Sequence, residues 1–140
     1  MIIQKIRKEQ KNMESNPMKI LIIEDDINDC NNFIACVRNR KDIEIVAITD
    51  SDIEGLKYVK TKNPEGIILD LELHEGGGNG LFSLSKLHDL GLEKLPYILI
   101  TTQNTSNVTL EAARQLGADF IITKYERDYS AQKPVELKVD

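Results

Sequence analysis

Three acids in a row, Glu24, Asp25 and Asp26, follow directly on the apolar run KILII. Like charges that close repel one another, and a buried carboxylate without a partner is costly, so the trio needs either water or a cation. Further along, Asp70 closes the run GIILD, Thr101 and Thr102 close YILITT, and Lys124 follows FIIT. If Glu24, Asp25 and Asp70 converge, they make a hard oxygen site suited to Mg²⁺, which takes one or two protein carboxylates, keeps some waters and accepts phosphoryl oxygens. In such a site Asp70 has the attributes of a nucleophile. Its carboxylate can attack a phosphoryl group to give an acyl phosphate while the metal stabilises the charge of an in-line transfer. Thr101 would donate its hydroxyl to one phosphoryl oxygen, and Lys124 would pair with another as a point charge. The product would also be a switch, because it adds nearly two negative charges that can draw Thr101 and Lys124 toward them.

These groups meet only if a scaffold brings the ends of several apolar runs to one edge. From Lys19 the chain alternates short continuous apolar runs with longer amphipathic segments. KILIIE precedes a helical pattern with Ile27, Cys30, Phe33, Ile34 and Val37 on one face, and IEIVAI precedes one carrying Ile53, Leu56 and Val59. GIILDL leads through the loop HEGGGNG into a helix from Leu81 to Leu90, and PYILITT leads into one with Val108, Ala112 and Leu116, closed by Gly117. FIIT is the fifth run, and YERDYSAQKPVELKVD is expected to hold a fifth helix that starts late or is incomplete, since Pro134 does not suit a helix interior. Runs apolar on both faces belong in parallel strands covered by helices on each side, so the fold class is α/β, a doubly wound five-stranded parallel sheet. With strand order 2-1-3-4-5, the ligand crevice lies beyond the carboxyl ends of the first and third strands, where the winding reverses. Those strands end in Glu24-Asp25 and in Asp70.

A chain of 140 residues with 41% apolar content can bury one core and is expected to be a single domain. A net charge of -5 argues against a nucleic-acid or anionic-membrane surface, and Lys133 and Lys138 are too few to reverse that. The opening MIIQKIRKEQKNMESNP lacks the continuous apolar stretch of a signal peptide or membrane span, which points to the cytoplasm. Cys30 and Cys36 fit neither a redox pair nor a zinc spacing and read as ordinary thiols. Asp26 reads as the N-cap of the first helix and not as a ligand. His74 and His88 read as exposed, GGGNG carries no phosphate-loop signature because no GK[ST] follows, and the sequons at Asn104 and Asn107 have no consequence in a cytoplasmic chain.

The ordered set IIEDD, IILDLEL, ILITT and LGADFIITK, spread over Met18 to Lys124, resembles a response-regulator receiver domain of bacterial two-component signalling, of the chemotaxis-regulator type. That resemblance implies a flavodoxin-like fold and an acidic pair in which Asp25 is a direct Mg²⁺ ligand and Glu24 acts largely through water. It implies Asp70 as phosphoacceptor, the backbone carbonyl of Glu72 as a further ligand, Thr101 as switch hydroxyl and Lys124 as phosphate-sensing lysine. The implied partners are a histidine kinase or phosphotransfer protein, and an output partner or second copy at the fourth helix, fifth strand and fifth helix. Activity would be limited to Mg²⁺-dependent self-phosphorylation and slow self-dephosphorylation. Residues 18–140 would form the receiver domain, residues 1–17 a disordered extension, with Met18 or Met13 as initiator.

The sequence also departs from that family's pattern. His74 stands where the family has proline, and HEGGGNG lengthens the loop before Gly80. Tyr125 replaces the proline after the lysine, so a cis peptide there is not expected. Ile121 occupies the position of the switch aromatic, and Thr102 that of a very small residue. Two other functions stay open. A haloacid-dehalogenase-like phosphohydrolase also uses aspartate, threonine and lysine in that order, though its acidic pair follows the lysine. A receiver-like binding module that is never phosphorylated would keep the fold alone.

Overall fold

The computed structural model describes residues 16–72, 80–103 and 106–124. The expected fifth helix, the loop with His74, Tyr125 and residues 1–15 of the expected N-terminal extension lie outside the described residues. Among the described residues nine elements alternate: β1 (Met18–Ile23), α1 (Ile27–Val37), β2 (Ile43–Thr49), α2 (Asp52–Lys62), β3 (Gly66–Asp70), α3 (Gly80–His88), β4 (Tyr97–Thr102), α4 (Asn107–Gln115) and β5 (Phe120–Thr123). The strands form one parallel sheet in the order β2-β1-β3-β4-β5, as the alternating pattern predicts.

The two-residue period of a strand divides the apolar side chains between the faces of the sheet. Met18, Ile20, Ile22, Ile68 and Leu99 point to one face, where α1 covers them with Cys30, Phe33 and Cys36. Leu21, Ile23, Ile67, Leu69, Ile98 and Ile100 point to the other, under Val59 of α2, Leu84 and Leu87 of α3 and Ala113 of α4. In β2 the alternation inverts part-way. Ile20 pairs with Ile45 but Leu21 pairs with Ala47, so Val46 is an extra residue. Ile43 and Ile45 therefore join the α1 face and Ala47 the opposite one, which is what a bulge does to a side-chain register.

Capping fixes where the helices start. The Asp26 carboxylate accepts the backbone N–H groups of Asn28 at 2.8 Å and Asp29 at 3.0 Å, as expected of an N-cap. Ser51 does the same for α2 through Glu54 N–H at 3.2 Å. Gly117, with φ +112°, sits just after α4 in a conformation that side chains disfavour, as its helix-closing place in the sequence suggests.

Three expected core positions are corrected. Ile27, Ile53 and Val108 are 70%, 58% and 81% exposed. Each lies at the first or second residue of its helix, a turn that stands proud of the strand ends, so the helical period is right but the sheet does not reach that far. In α1 the buried place in that turn is taken by Asp29.

Gly80 begins α3 hard against the residue after β3: a Cβ there would stand 2.5 Å from Leu71 Cα and 3.0 Å from its carbonyl oxygen. The same approach lets Gly80 N–H bond Leu71 O at 3.0 Å. Backbone cannot give way as a side-chain tip can, so Gly80→Ala is expected to cost about 1–3 kcal/mol. Chemical denaturation of the two proteins should show the midpoint fall, whereas Ser85→Ala on the same helix should leave it within about 0.5 kcal/mol of wild type.

Candidate functional site

Short backbone hydrogen bonds hold the carboxyl ends of neighbouring strands together. Glu24 N–H donates to Thr49 O at 2.9 Å, Leu71 N–H to Thr101 O at 2.9 Å, and Lys124 N–H to Thr102 O at 2.7 Å. Asp70 lies directly across the ladder from Thr101. Glu24, Asp25, Asp70, Thr101 and Lys124, which the sequence singles out on separate elements, therefore share one cleft at the carboxyl edge of the sheet. Glu24, Asp70 and Thr101 are buried, and Asp25 is half-buried. One carboxylate oxygen from each of Glu24, Asp25 and Asp70 lies within 4.8 Å of the others. Beside them is a cavity of about 170 Å³ lined by Asp25, Asp26, Asp70, Glu72, Gln103 and Lys124.

The two oxygens of Asp70 have different surroundings. Oδ1 accepts the backbone N–H of Glu72 at 2.9 Å, while Oδ2 lies 3.6 Å from Lys124 Nζ. The shortest contact of Lys124 is with neither Asp70 nor the acidic pair. Its ammonium is 2.7 Å from Asp29 Oδ2 and 3.4 and 3.5 Å from the two Glu24 oxygens. Thr101 Oγ1 is 3.5 Å from Glu24 Oε1. Thr102, expected to crowd the entrance, is fully buried, and its hydroxyl donates to Glu72 Oε2. The other Glu72 oxygen accepts the backbone N–H of Gln103 at 2.8 Å, so this carboxylate clasps the end of β3 to the end of β4.

Charge is distributed unevenly among the acids. Burial pushes the Glu24 carboxyl up to about 9, and the hydrogen bond and charge of Asp70 push the same way, against Lys124 and the backbone N–H of Asp26. The direction favours the neutral form of Glu24, with Asp70 as its hydrogen-bond partner. Burial alone would lower Lys124, but the Asp29 hydrogen bond and then the charges of Glu24, Asp70 and Asp29 outweigh it and hold the ammonium above its ordinary value. Burial, and then the Glu24 carboxylate, raises the Cys30 thiol to about 11; its Sγ rests 3.6 Å from Glu24 O, and Cys30 and Cys36 are both free and buried.

The donor set fits Mg²⁺ on its chemistry: among the described residues it is three carboxylates without sulfur or imidazole, and the burial and Asp70 charge that disfavour an ionised Glu24 are what a divalent cation would offset. Sequence reasoning missed Asp29, the Glu72 side chain and Gln103. Asp29 did leave a signal, an acid inside the first turn of a helix at a position one step from Cys30 on the buried face. Gln103 acts through its backbone and left none.

Residues 20–133 match the response regulator receiver domain, and the chain belongs to that family. It is 28% identical over 120 residues to protein-glutamate methylesterase/protein-glutamine glutaminase 1 of Geobacter metallireducens, an alignment covering 84% of this chain and 32% of that protein. A protein-glutamate methylesterase/protein-glutamine glutaminase of Chromohalobacter salexigens is 27% identical over 111 residues, 78% of this chain and 30% of that one. The chain thus spans about a third of the length of these curated relatives. Among solved structures, the signal receiver domain of NarL from Mycobacterium tuberculosis superposes with a TM-score of 0.72 at 14% identity, over 86% of this chain and 90% of that one. A LuxR-family DNA-binding response regulator from Staphylococcus aureus gives 0.68 at 26% identity, over 81% and 90%. The response regulator domain of Thermotoga maritima CheB gives 0.67 at 18%, over 84% of each chain. Among the described residues no helix is long and apolar enough to cross a membrane.

A proton on Glu24 cancels negative charge that would draw a cation to the cleft, so Mg²⁺ affinity should rise as pH climbs toward about 9, with protons released on binding. Titration calorimetry in buffers of different ionisation enthalpy reads both quantities. Glu24→Gln, which has no proton to lose, should flatten the pH dependence. Without metal the sign for stability is the reverse. The folded value lies above the unfolded 4.5, so the contribution of Glu24 is greatest below 4.5 and is lost as pH rises toward about 9.

Proposed function

We propose that this chain is a phosphorylation-controlled switch, taking a phosphoryl group from a histidine kinase or phosphotransfer protein onto Asp70 in a Mg²⁺-dependent reaction. The observation that carries the reading is the position of Asp70, buried at the floor of an oxygen-lined cavity, between an acidic pair and the ammonium of Lys124. In this reading Asp25 and Asp70 ligate the ion directly, Glu24 acts largely through water, and the Glu72 backbone carbonyl completes the protein's share. Bound there, Mg²⁺ would neutralise charge on the transferring group.

The chain's own groups then divide the remaining work. An Asp70 oxygen attacks phosphorus, the bond to the donor's imidazole nitrogen breaks, and the imidazole leaves with the electron pair and takes a proton from solvent. The Glu72 N–H holds Oδ1 of Asp70 and so fixes which way the carboxylate faces. Thr101, across the ladder from Asp70, donates its hydroxyl to one phosphoryl oxygen, and Lys124 pairs with another. The clasp of Glu72 on Thr102 and Gln103 narrows the approach and favours a donor that docks over one that diffuses in. Movement of Thr101 and Lys124 alters the surfaces of the fourth and fifth units, where an output partner or second copy would read the switch. The same reading puts the reaction in the cytoplasm. The methylesterase activity named for the curated relatives forms no part of it.

Intact mass after incubation with Mg²⁺ and acetyl phosphate tests the reading. A single phosphoryl adduct is expected for wild type, and none for Asp70→Asn or after chelation of the metal. If folded, Mg²⁺-binding protein gave no adduct with acetyl phosphate or with a histidine kinase, the unphosphorylated binding module would replace it.

A further inference from the structure

Lys124 has three N–H donors and spends its shortest contact on a residue outside the phosphoacceptor set. Asp29 Oδ2 is 2.7 Å from Nζ, against 3.4 Å for Glu24 and 3.6 Å for Asp70. The pair is enclosed, with side-chain exposures of 8% for Lys124 and 13% for Asp29, so water screens it little. Its geometry is also rigid on the Asp29 side, because the backbone N–H of that residue is fixed by the Asp26 cap in the first turn of α1.

We propose that Asp29 is a positioning residue that holds Lys124 on α1 and thereby opposes the phosphorylated state. The inference rests on the phosphoacceptor reading of Asp70. A phosphoryl group would bring about two negative charges into a cavity where Lys124 is the one cationic side chain among the described lining residues. Asp29 acts against that charge twice. It competes for the lysine's donors, and its own carboxylate repels the incoming anion. Toward a cation the signs reverse, since an added negative charge near the cleft attracts Mg²⁺. Asp29 is not one of the three acids whose oxygens cluster, so its effect on the metal is through space and weaker.

The opposite signs supply the test. Beryllofluoride, an analogue of the phosphoryl group, is titrated at saturating Mg²⁺ by ¹⁹F and amide NMR, and Mg²⁺ is titrated separately. Asp29→Asn, which keeps shape and removes charge, is expected to bind beryllofluoride roughly tenfold more tightly and Mg²⁺ no more tightly than wild type. Asp29→Glu should return beryllofluoride affinity toward wild type, and on a Lys124→Met background most of the gain from Asp29→Asn should vanish. Weakened binding of both ligands by Asp29→Asn would mean that the residue only supports the cleft, and would overturn the proposal. Equal beryllofluoride affinity in folded wild type and Asp29→Asn would overturn it as well. If wild type bound Mg²⁺ but no beryllofluoride at all, the phosphoacceptor reading itself would fail, and the inference with it.

Discussion

One ammonium stands among acids from three different elements, and the carboxyl edge of the sheet is organised around it. Lys124 follows β5, yet its contacts are Asp29 on α1, Glu24 after β1 and Asp70 on β3. Buried carboxylates at this spacing repel, and two effects relieve the repulsion: the lysine, and the bias of Glu24 toward its neutral form. Neither effect is neutral toward a ligand. A neutral Glu24 withholds charge that would attract a cation, and the lysine is pulled toward a residue that takes no part in the acid cluster. The cleft in this form is thus stable in a way that both proposed ligands, cation and phosphoryl group, must displace.

The order of the sheet makes this arrangement available. With β1 and β3 adjacent in the sheet, the helices that follow them pack on opposite faces, α1 covering one cluster and α3 the other, and the carboxyl edge between them receives Glu24, Asp25 and Asp70. Gly80 lets α3 begin in contact with Leu71, next to Asp70. On the other flank β4 and β5 add Thr101 and Lys124 in register, so that groups far apart in sequence are positioned by backbone ladders and not by flexible side chains.

Most of this scaffold is legible in the sequence because it depends on burial. Runs apolar on both faces belong in a parallel sheet covered by helices on each side, and a polar residue ending such a run lies at its carboxyl edge, which locates Glu24, Asp70, Thr101 and Lys124 without coordinates. What stays hidden depends on relations between elements. The bulge at Val46 leaves no mark in IEIVAI, because apolar residues fill both faces whichever register holds. The exposure of Ile27, Ile53 and Val108 reflects how far each helix extends beyond the strands, a length that periodicity does not encode. Asp29 is intermediate. Its helical position was readable, but an acid among apolar neighbours acquires meaning only when Lys124 is seen opposite it.

The clasp made by Glu72 illustrates how one substitution can change the role of another residue. The hydroxyl of Thr102 would be an unsatisfied buried group if nothing accepted from it, and Glu72 supplies the acceptor. That demand holds the Glu72 carboxylate over toward β4, where Gln103 N–H takes its second oxygen. A small residue at position 102 would make no such demand, and the carboxylate would be free to turn toward the cation or toward solvent. Position 72 therefore cannot be understood from its own identity. Thr102 and Glu72 form one hydrogen-bonded unit beside Asp70, and Asp29 and Lys124 form a second. Receiver domains as dissimilar as 14% in sequence share this sheet, so it is in such paired departures around a constant scaffold that the behaviour of one member is distinguished from another.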